Sequence, residues 1–471
     1  MGTKLTKVLL VYPNAEGYSR IPVGFSIISA YLKDRGHDVA LFDTTFIKSK
    51  NIDYEYREKA NLVKSVDINH LYNIQREAQI EAELANLLGK YAPDLIFFTI
   101  VEENYSYATQ LMKTVKETAD GLIVAGGVTP TVVPEEIIKN PFIDILCVGE
   151  GEEAMAELCE TIEKGGNIDN IKNLWIKKLD GSIIRNPLRP FVDLDSLPFQ
   201  DIALFDDRHI FKPFDGRLER TVGVEMSRGC PNKCSFCTND GLKGRLKTCG
   251  KYCREKSIKR SIAEIKYLKK KFKLTMIFFN DDNFLMMGQK RFDDFFHLYK
   301  QEIDLPFYMQ TRVETITEAK VKKLKLLKCA TIAMGIESGS EKFRKAVLNR
   351  YMTNKQIIDA FKLVHKYKIR TTSNNMIGFP LEIKADVLET IKINKIIQPK
   401  SLELSYMAPY SGTQMHSLCV LLNLIPNGMV QNITLRKGTV LNFPEEHKKF
   451  LAKIFNNFTK YVSGEMPLPQ I

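Results

Sequence analysis

Short apolar runs separated by helix-length stretches recur along most of this 471-residue chain, and that alternation constrains the fold more than any other feature. KVLLVY (7–12), HDVALF (37–42), LIFFTI (95–100), LIVA (122–125) and IDILCV (143–148) have the length and apolar content of buried parallel strands. Helices are predicted between them, for example over 22–35, ending at Gly36, and over 107–118. A polar excursion over 48–83 interrupts this series. Strand–helix alternation of this kind builds a parallel sheet with right-handed crossovers. A second series starts near Thr221, with strands predicted at 222–226, 276–279, 307–310, 332–336, 371–377 and 402–407, and helices such as 258–271 and 355–367 between them. Residues 171–213, punctuated by Pro187, Pro190 and Pro198, read as a connector.

Composition narrows the class. No run of about 18 apolar residues suggests a membrane span, and the opening MGTKLTKVLLVYPN leads directly into a strand pattern rather than a secretory signal. Nine cysteines, an odd number, argue for a reducing cytoplasm over a disulfide framework. The net charge of +12 is concentrated: residues 243–273 hold 13 Lys/Arg against two acids. A solvated face accounts for such a stretch. An anionic substrate or a membrane surface would also suit it, but aromatic residues are not interleaved with the charges, so nucleic acid is not expected. Residues 445–462 form a basic amphipathic pattern that suits peripheral membrane contact or ordinary helix packing.

Chemistry concentrates in SRGCPNKCSFC, where Cys230, Cys234 and Cys237 form a CxxxCxxC triad. A [4Fe-4S] cube normally takes four thiolates, so three leave one iron open to a small molecule. Zinc sites prefer CxxC pairs and a fourth ligand, and no second CxxC exists here. Cys249 and Cys253 make a CxxxC without a further partner and read as ordinary thiols. Polar and glycine-rich turns follow the other strands of the second series. They are FFNDDNF with Asn280, Asp281 and Asp282, QTRVE with Arg312, GIESGS with Glu337 and Ser338, MIGFP with Ile377 and Gly378, and APYSGT at 408–413. In the first series the corresponding ends are Thr99, Ile100, Val101 and Glu102, then Gly126 and Gly127, then Gly149, Glu150 and Gly151. Ligands of parallel α/β sheets sit beyond such C-terminal strand ends.

The triad, with Phe236 before its third cysteine and the ordered set of strand-end motifs behind it, resembles the radical SAM enzymes. The stretches YPN, IPVGFSIISAYLKDRGHDVALFD, AGGVTPTVVPEE and CVGEGEEA resemble the cobalamin-binding domain of the B12-dependent members of that family. The resemblance covers about 7–159 and 221–413. It implies a doubly wound Rossmann-like cobalamin-binding domain over 1–170, a linker over 171–217, a radical SAM partial (β/α)6 barrel over 218–415 and a helical extension over 416–471. It implies three cofactors: a [4Fe-4S] cluster on the three cysteines, S-adenosylmethionine, and cobalamin. Asn280, Asp281 and Asp282 would take the ammonium group of S-adenosylmethionine, and Arg312 its carboxylate. Glu337 and Ser338 would take the ribose or amino-acid part, with Ile377 and Gly378 against the adenine. The first-series turns would surround the corrin edge or nucleotide tail. The DxHxxG motif, whose histidine ligates cobalt in other B12 proteins, is absent, as is usual for this subgroup. His37 reads as structural. The activity implied is methylation of an unactivated carbon of a natural product or lipid, through a 5′-deoxyadenosyl radical and methylcobalamin. A cyclase or rearrangement catalyst with the same cofactors is the alternative, and a non-catalytic sensor a distant third. The implied partners are a small-molecule or lipid substrate and an electron donor such as flavodoxin or ferredoxin.

Overall fold

The computed structural model describes residues 5–17, 19–430, 433 and 435–469. Strands are numbered in chain order. The first sheet contains β1 (Lys7–Tyr12), β2 (Asp38–Asp43), β3 (Leu95–Thr99), β4 (Leu122–Gly126), β5 (Ile145–Cys147), β6 (Leu174–Lys177) and β7 (Ile183–Arg185), ordered β2-β1-β3-β4-β5-β6-β7. The first five are parallel, in the doubly wound order that opens a crevice at the C-terminal ends of β1 and β3. Val8, Leu9, Leu10 and Val11 are all fully buried. Alternate side chains point to opposite faces. Val8 and Leu10 therefore join the core beneath the helix Val23–Lys33, while Leu9 and Val11 join the core beneath Glu77–Tyr91 and Tyr105–Thr118.

The segment expected to be a connector contributes secondary structure of its own. β6 and β7 extend the first sheet antiparallel to β5, so this sheet runs to Arg185. Beyond them Leu194, Leu197, Ile202, Phe205 and Ile210 are buried in one continuous core with Val222 and Val224 of the second sheet. The linker is thus packed between the domains.

The second sheet follows, with β8 (Phe211–Phe214), β9 (Arg217–Val224), β12 (Met276–Phe279), β13 (Phe307–Thr311), β14 (Cys329–Glu337), β15 (Arg370–Ile377) and β16 (Ser401–Tyr406), ordered β16-β15-β14-β13-β12-β9-β8. Six strands run parallel, from β9 to β16, and form the expected open barrel. β8 adds an antiparallel edge. A two-stranded ribbon, β10 (Ser227–Arg228) with β11 (Arg254–Glu255), brackets the cysteine loop.

The tail helix Glu445–Ser463 buries Leu451, Ile454, Phe455, Phe458 and Tyr461 against β16 and the helix Lys384–Ile397, with Phe455 stacked on Tyr406 at 4.7 Å. Its apolar face is used in packing. Ala60 and Leu62, from the polar excursion of the first domain, share that core. No helix among the described residues is long and apolar enough to cross a membrane.

Candidate active site

The three cysteines lie between β10 and the helix Thr238–Arg245, at the C-terminal end of the first barrel strand. Their loop is pinned by Ser235, whose N–H donates to Leu348 O (3.2 Å) and whose hydroxyl donates to Val347 O (2.7 Å). Met415 N–H in turn donates to Ser235 O (2.9 Å). Phe236 packs toward Phe379 at 6.0 Å. Each sulfur has a nitrogen donor. Asn232 Nδ2 lies 3.3 Å from Cys230 Sγ and Asn239 Nδ2 3.8 Å from Cys237 Sγ. Arg312 and Arg350 place Nη1 atoms 3.3 and 3.6 Å from Cys234 Sγ. Such donors favour thiolate ligands and tune an iron–sulfur centre. Burial pushes the Cys237 thiol up to about 11. No three His, Cys, Asp or Glu side chains among the described residues close on one point as a single-ion site would. The donor set suits a larger group spread across the loop.

The strand ends converge on this loop with differing roles. Asp281 is buried and accepts from Met226 N–H (3.2 Å) and the Ser227 hydroxyl (2.5 Å), so it ties β12 to the start of the cysteine loop. Burial raises its carboxyl to about 7. Asp282 is accessible, and desolvation by the surrounding protein raises its carboxyl. The Asn280 side chain lies over Gly223, where a Cβ would collide with it. Arg312 pairs with Glu314 at 2.5 Å. Glu337 has φ +66°, an unfavourable conformation for a side-chain-bearing residue, and faces Arg350 at 3.7 Å, with burial raising its carboxyl. The Ser338 hydroxyl is fully buried and accepts from Ser340 N–H (3.3 Å). Ile377 is core. Gly378 (φ +80°) donates its N–H to Glu382 Oε2 at 2.7 Å, and Phe379 N–H donates to the same oxygen at 3.2 Å. Burial raises Glu382 to about 8.

The C-terminal ends of β3, β4 and β5 pack on the strand-end loops of the barrel, Glu102 on Ser411, Val132 on Gly241 and Gly412, and Glu150 on Arg228. Val101 (41% exposed), Gly127 and Val128 (37% exposed) present an accessible apolar surface beside buried Ile100 and Gly126, and Thr99 is half-buried. Glu102 spends its carboxylate on the barrel, accepting from Ser411 N–H (2.8 Å), the Ser411 hydroxyl (2.9 Å) and Val430 N–H (3.3 Å). Glu150 likewise pairs with Arg228 (2.8 Å) and Arg254 (2.5 Å), between half-buried Gly149 and buried Gly151. Both glutamates make contacts between the two domains. His37 pairs with Glu163 at 2.9 Å, a structural role. Cys249 is buried. Cys253 is half-buried and lines a cavity of about 540 Å³ with Val192, Lys251, Arg254 and Met286.

Residues 224–393 match the radical SAM superfamily and residues 16–159 the B12-binding domain. The fold matches that of the radical S-adenosylmethionine methyltransferase TsrM from Kitasatospora setae, solved with cobalamin and a [4Fe-4S] cluster bound. The TM-score is 0.67 at 15% identity, over 88% of this chain and 76% of that one. This chain is a cobalamin-dependent radical SAM enzyme. Among its relatives is an uncharacterised methyltransferase of Pyrococcus horikoshii, 26% identical over 96% of this chain and 90% of the relative. The hopanoid C-3 methylase of Methylococcus capsulatus is 24% identical over 87% and 71%. An anaerobic magnesium-protoporphyrin IX monomethyl ester cyclase of Rubrivivax gelatinosus is 22% identical over 86% and 68%.

The residues present fit the radical SAM cofactors. Three free thiols with nitrogen donors at each sulfur suit the cluster, and the open apolar strand ends around Gly127 suit a corrin. Sequence reasoning missed Arg350, Glu382, Arg228 and Arg254. The position of Glu382, four residues after Gly378 in the MIGFP turn, was the available signal. Each arginine reaches a partner at least 78 residues away, Arg228 and Arg254 reaching Glu150 and Arg350 reaching Cys234.

Proposed function

We propose that this radical SAM enzyme is a C-methyltransferase acting on an unactivated carbon of a natural product or lipid. The observation that carries the reading is the opposition of two strand-end surfaces. The loops after β3 and β4 pack on the barrel's strand-end loops, Glu102 on Ser411 and Val132 on Gly241 and Gly412, next to the nitrogen-donor-lined cysteine loop, with a packed linker and ion pairs joining the domains. The methylase and methyltransferase relatives support methyl transfer, and the relative named for hopanoids supports a lipid-like substrate.

When bound, the cluster, S-adenosylmethionine and cobalamin supply hydrogen-atom abstraction and methyl delivery. The chain supplies placement. Cys230, Cys234 and Cys237 would hold the cluster. Asp282 and Asn280 offer oxygen acceptors to an ammonium group, while Asp281 orients the loop rather than the ligand. Arg312, within reach of Cys234, is placed to take a carboxylate by exchanging its Glu314 pair. Glu382 holds the backbone at Gly378 and Phe379, the turn proposed to stand beside the adenine. Gly127 and Val128, both exposed, would offer their surface to the corrin.

The test is anaerobic reconstitution with hydroxocobalamin, S-adenosylmethionine and reductant, followed by assay of 5′-deoxyadenosine and S-adenosylhomocysteine with candidate lipid and natural-product substrates. Retained corrinoid with both products supports methyl transfer. Retained corrinoid with 5′-deoxyadenosine and a converted but unmethylated substrate would replace it with cyclisation or rearrangement.

A further inference from the structure

Arg228 stands two residues before Cys230, and its guanidinium is spent entirely on carboxylates. Nη1 reaches Glu150 at 2.8 Å, Nη2 reaches Glu152 at 2.8 Å, and Nε reaches Glu225 at 3.1 Å. Across the β10–β11 ribbon its register partner is Arg254, next to Cys253. Arg254 also grips Glu150, at 2.5 and 3.1 Å, donates to Val192 O of the linker at 3.0 Å, and stacks on Phe191 at 4.0 Å. Two guanidinium groups side by side repel each other, and the Glu150 carboxylate lies between them. Burial raises that carboxyl, but Arg228 and Arg254 outweigh burial and hold it below its ordinary value. Glu150 and Glu152 belong to the first domain, and both arginines to the second.

The other side of Glu150 leads to the corrin-facing turns. It follows Gly149, which has φ +96° and donates its N–H to the Thr131 hydroxyl at 3.0 Å. Thr131 lies in the short helix Val128–Val132 that starts at Gly127. The same helix touches the segment after the third cysteine: Arg245 bonds Val132 O at 3.4 Å and pairs with Glu135 at 2.8 Å. On the cluster side, Gly229 separates Arg228 from Cys230 at φ +89°, and a Cβ there would meet Tyr252 O at 2.7 Å. Neither end of this chain of contacts has slack.

We propose that Glu150 is a positioning residue that, through Arg228 and Arg254, couples corrinoid binding on the first domain to cluster assembly on the second. The proposal rests on the cofactor reading above. Because linkage is reciprocal, a loaded cluster tightens corrinoid binding by the factor by which corrinoid stabilises the cluster.

The test measures the hydroxocobalamin dissociation constant anaerobically for cluster-free and cluster-loaded protein, and the rate of iron loss to a chelator with and without hydroxocobalamin. In the wild type, cluster loading is expected to tighten corrinoid binding at least about fivefold, the lower end of ordinary couplings. Glu150→Gln and, independently, Arg254→Gln are expected to bring that ratio within about twofold of unity, with corrinoid no longer slowing iron loss. Glu153→Gln, which removes only a pair with Arg189, should leave the ratio unchanged. A merely structural role would lower stability in both variants and preserve the ratio, and that result overturns the proposal. A wild-type ratio of one overturns it without any variant. A wild type that binds no corrinoid in either state overturns the cofactor reading itself.

Discussion

Lys256 and Glu264 form a buried ion pair, Nζ to Oε2 at 2.8 Å, with side chains 2% and 0% exposed. It joins the end of the β10–β11 ribbon to the helix Ile258–Phe272, and Glu264 Oε1 also accepts the linker's Gln200 N–H at 3.1 Å. Lys256→Met keeps the apolar stem and removes the charge, leaving Glu264 buried with one backbone donor. Breaking a buried pair in this way costs about 3–5 kcal/mol. At about 2 °C per kcal/mol, the lower end for large domains, the apparent melting temperature should fall by about 6–10 °C at a fixed scan rate. Lys256→Met with Glu264→Gln removes the stranded charge but keeps an acceptor for Gln200, so most of the loss should return. Differential scanning fluorimetry on all three proteins decides. A single variant within about 2 °C of wild type, or a double variant as unstable as the single, would refute the view that the uncompensated carboxylate is the cost.

Other expected outcomes follow from the site. Cys234→Ala should reduce reconstituted iron and the visible cluster chromophore to background while leaving hydroxocobalamin binding measurable. Arg350→Gln removes a donor to Cys234 Sγ, so the cluster potential should fall by about 40–90 mV, the one-electron equivalent of 1–2 kcal/mol; a spectroscopically monitored redox titration reads it, and an unchanged potential contradicts that role. Glu382 has a folded-state pKa raised to about 8, so its contribution is complete below the ordinary value of 4.5 and is lost as pH rises through 8. Melting temperature should therefore drop between pH 6 and 9 in the wild type, and less in Glu382→Gln. Gly412 has φ +76°, and a Cβ there would collide with Val132 of the other domain. Gly412→Ala should destabilise by about 1–3 kcal/mol, read by thermal melting.

The elements legible in the sequence were those whose cause is local. β1 needed only a run of residues buried on both faces, and Lys7–Tyr12 is the strand that was expected. β12, Met276–Phe279, is legible for the same reason. The cysteine loop was readable because ligand spacing along one loop is itself a sequence pattern. β6 and β7 were not, because four and three residues between turn-forming and proline-rich segments carry too little periodicity, and both pair antiparallel at an edge. Glu102 and Glu150 stand in turns that the sequence marks, but their partners, Ser411 and Arg228, lie 309 and 78 residues away. No local signal announces such a partner. Arg350 went unnoticed on the same grounds: its neighbour Cys234 is 116 residues distant.

The polar excursion of the first domain has a mechanical consequence. Asp53 pairs with Arg436 at 2.8 Å, Arg57 pairs with Glu403 of β16, and the Thr459 hydroxyl donates to Ala60 O at 3.2 Å, all at the far edge of the barrel sheet from the Glu150 contacts. A cover fastened along one margin can swing; one fastened along two opposite margins cannot. Contacts along both margins therefore make the corrinoid domain behave more as a fixed roof than as a door, which favours substrate entry by local loop movement over domain opening. Catalytic turnover in this enzyme should thus be compatible with a cross-link that joins the two domains permanently.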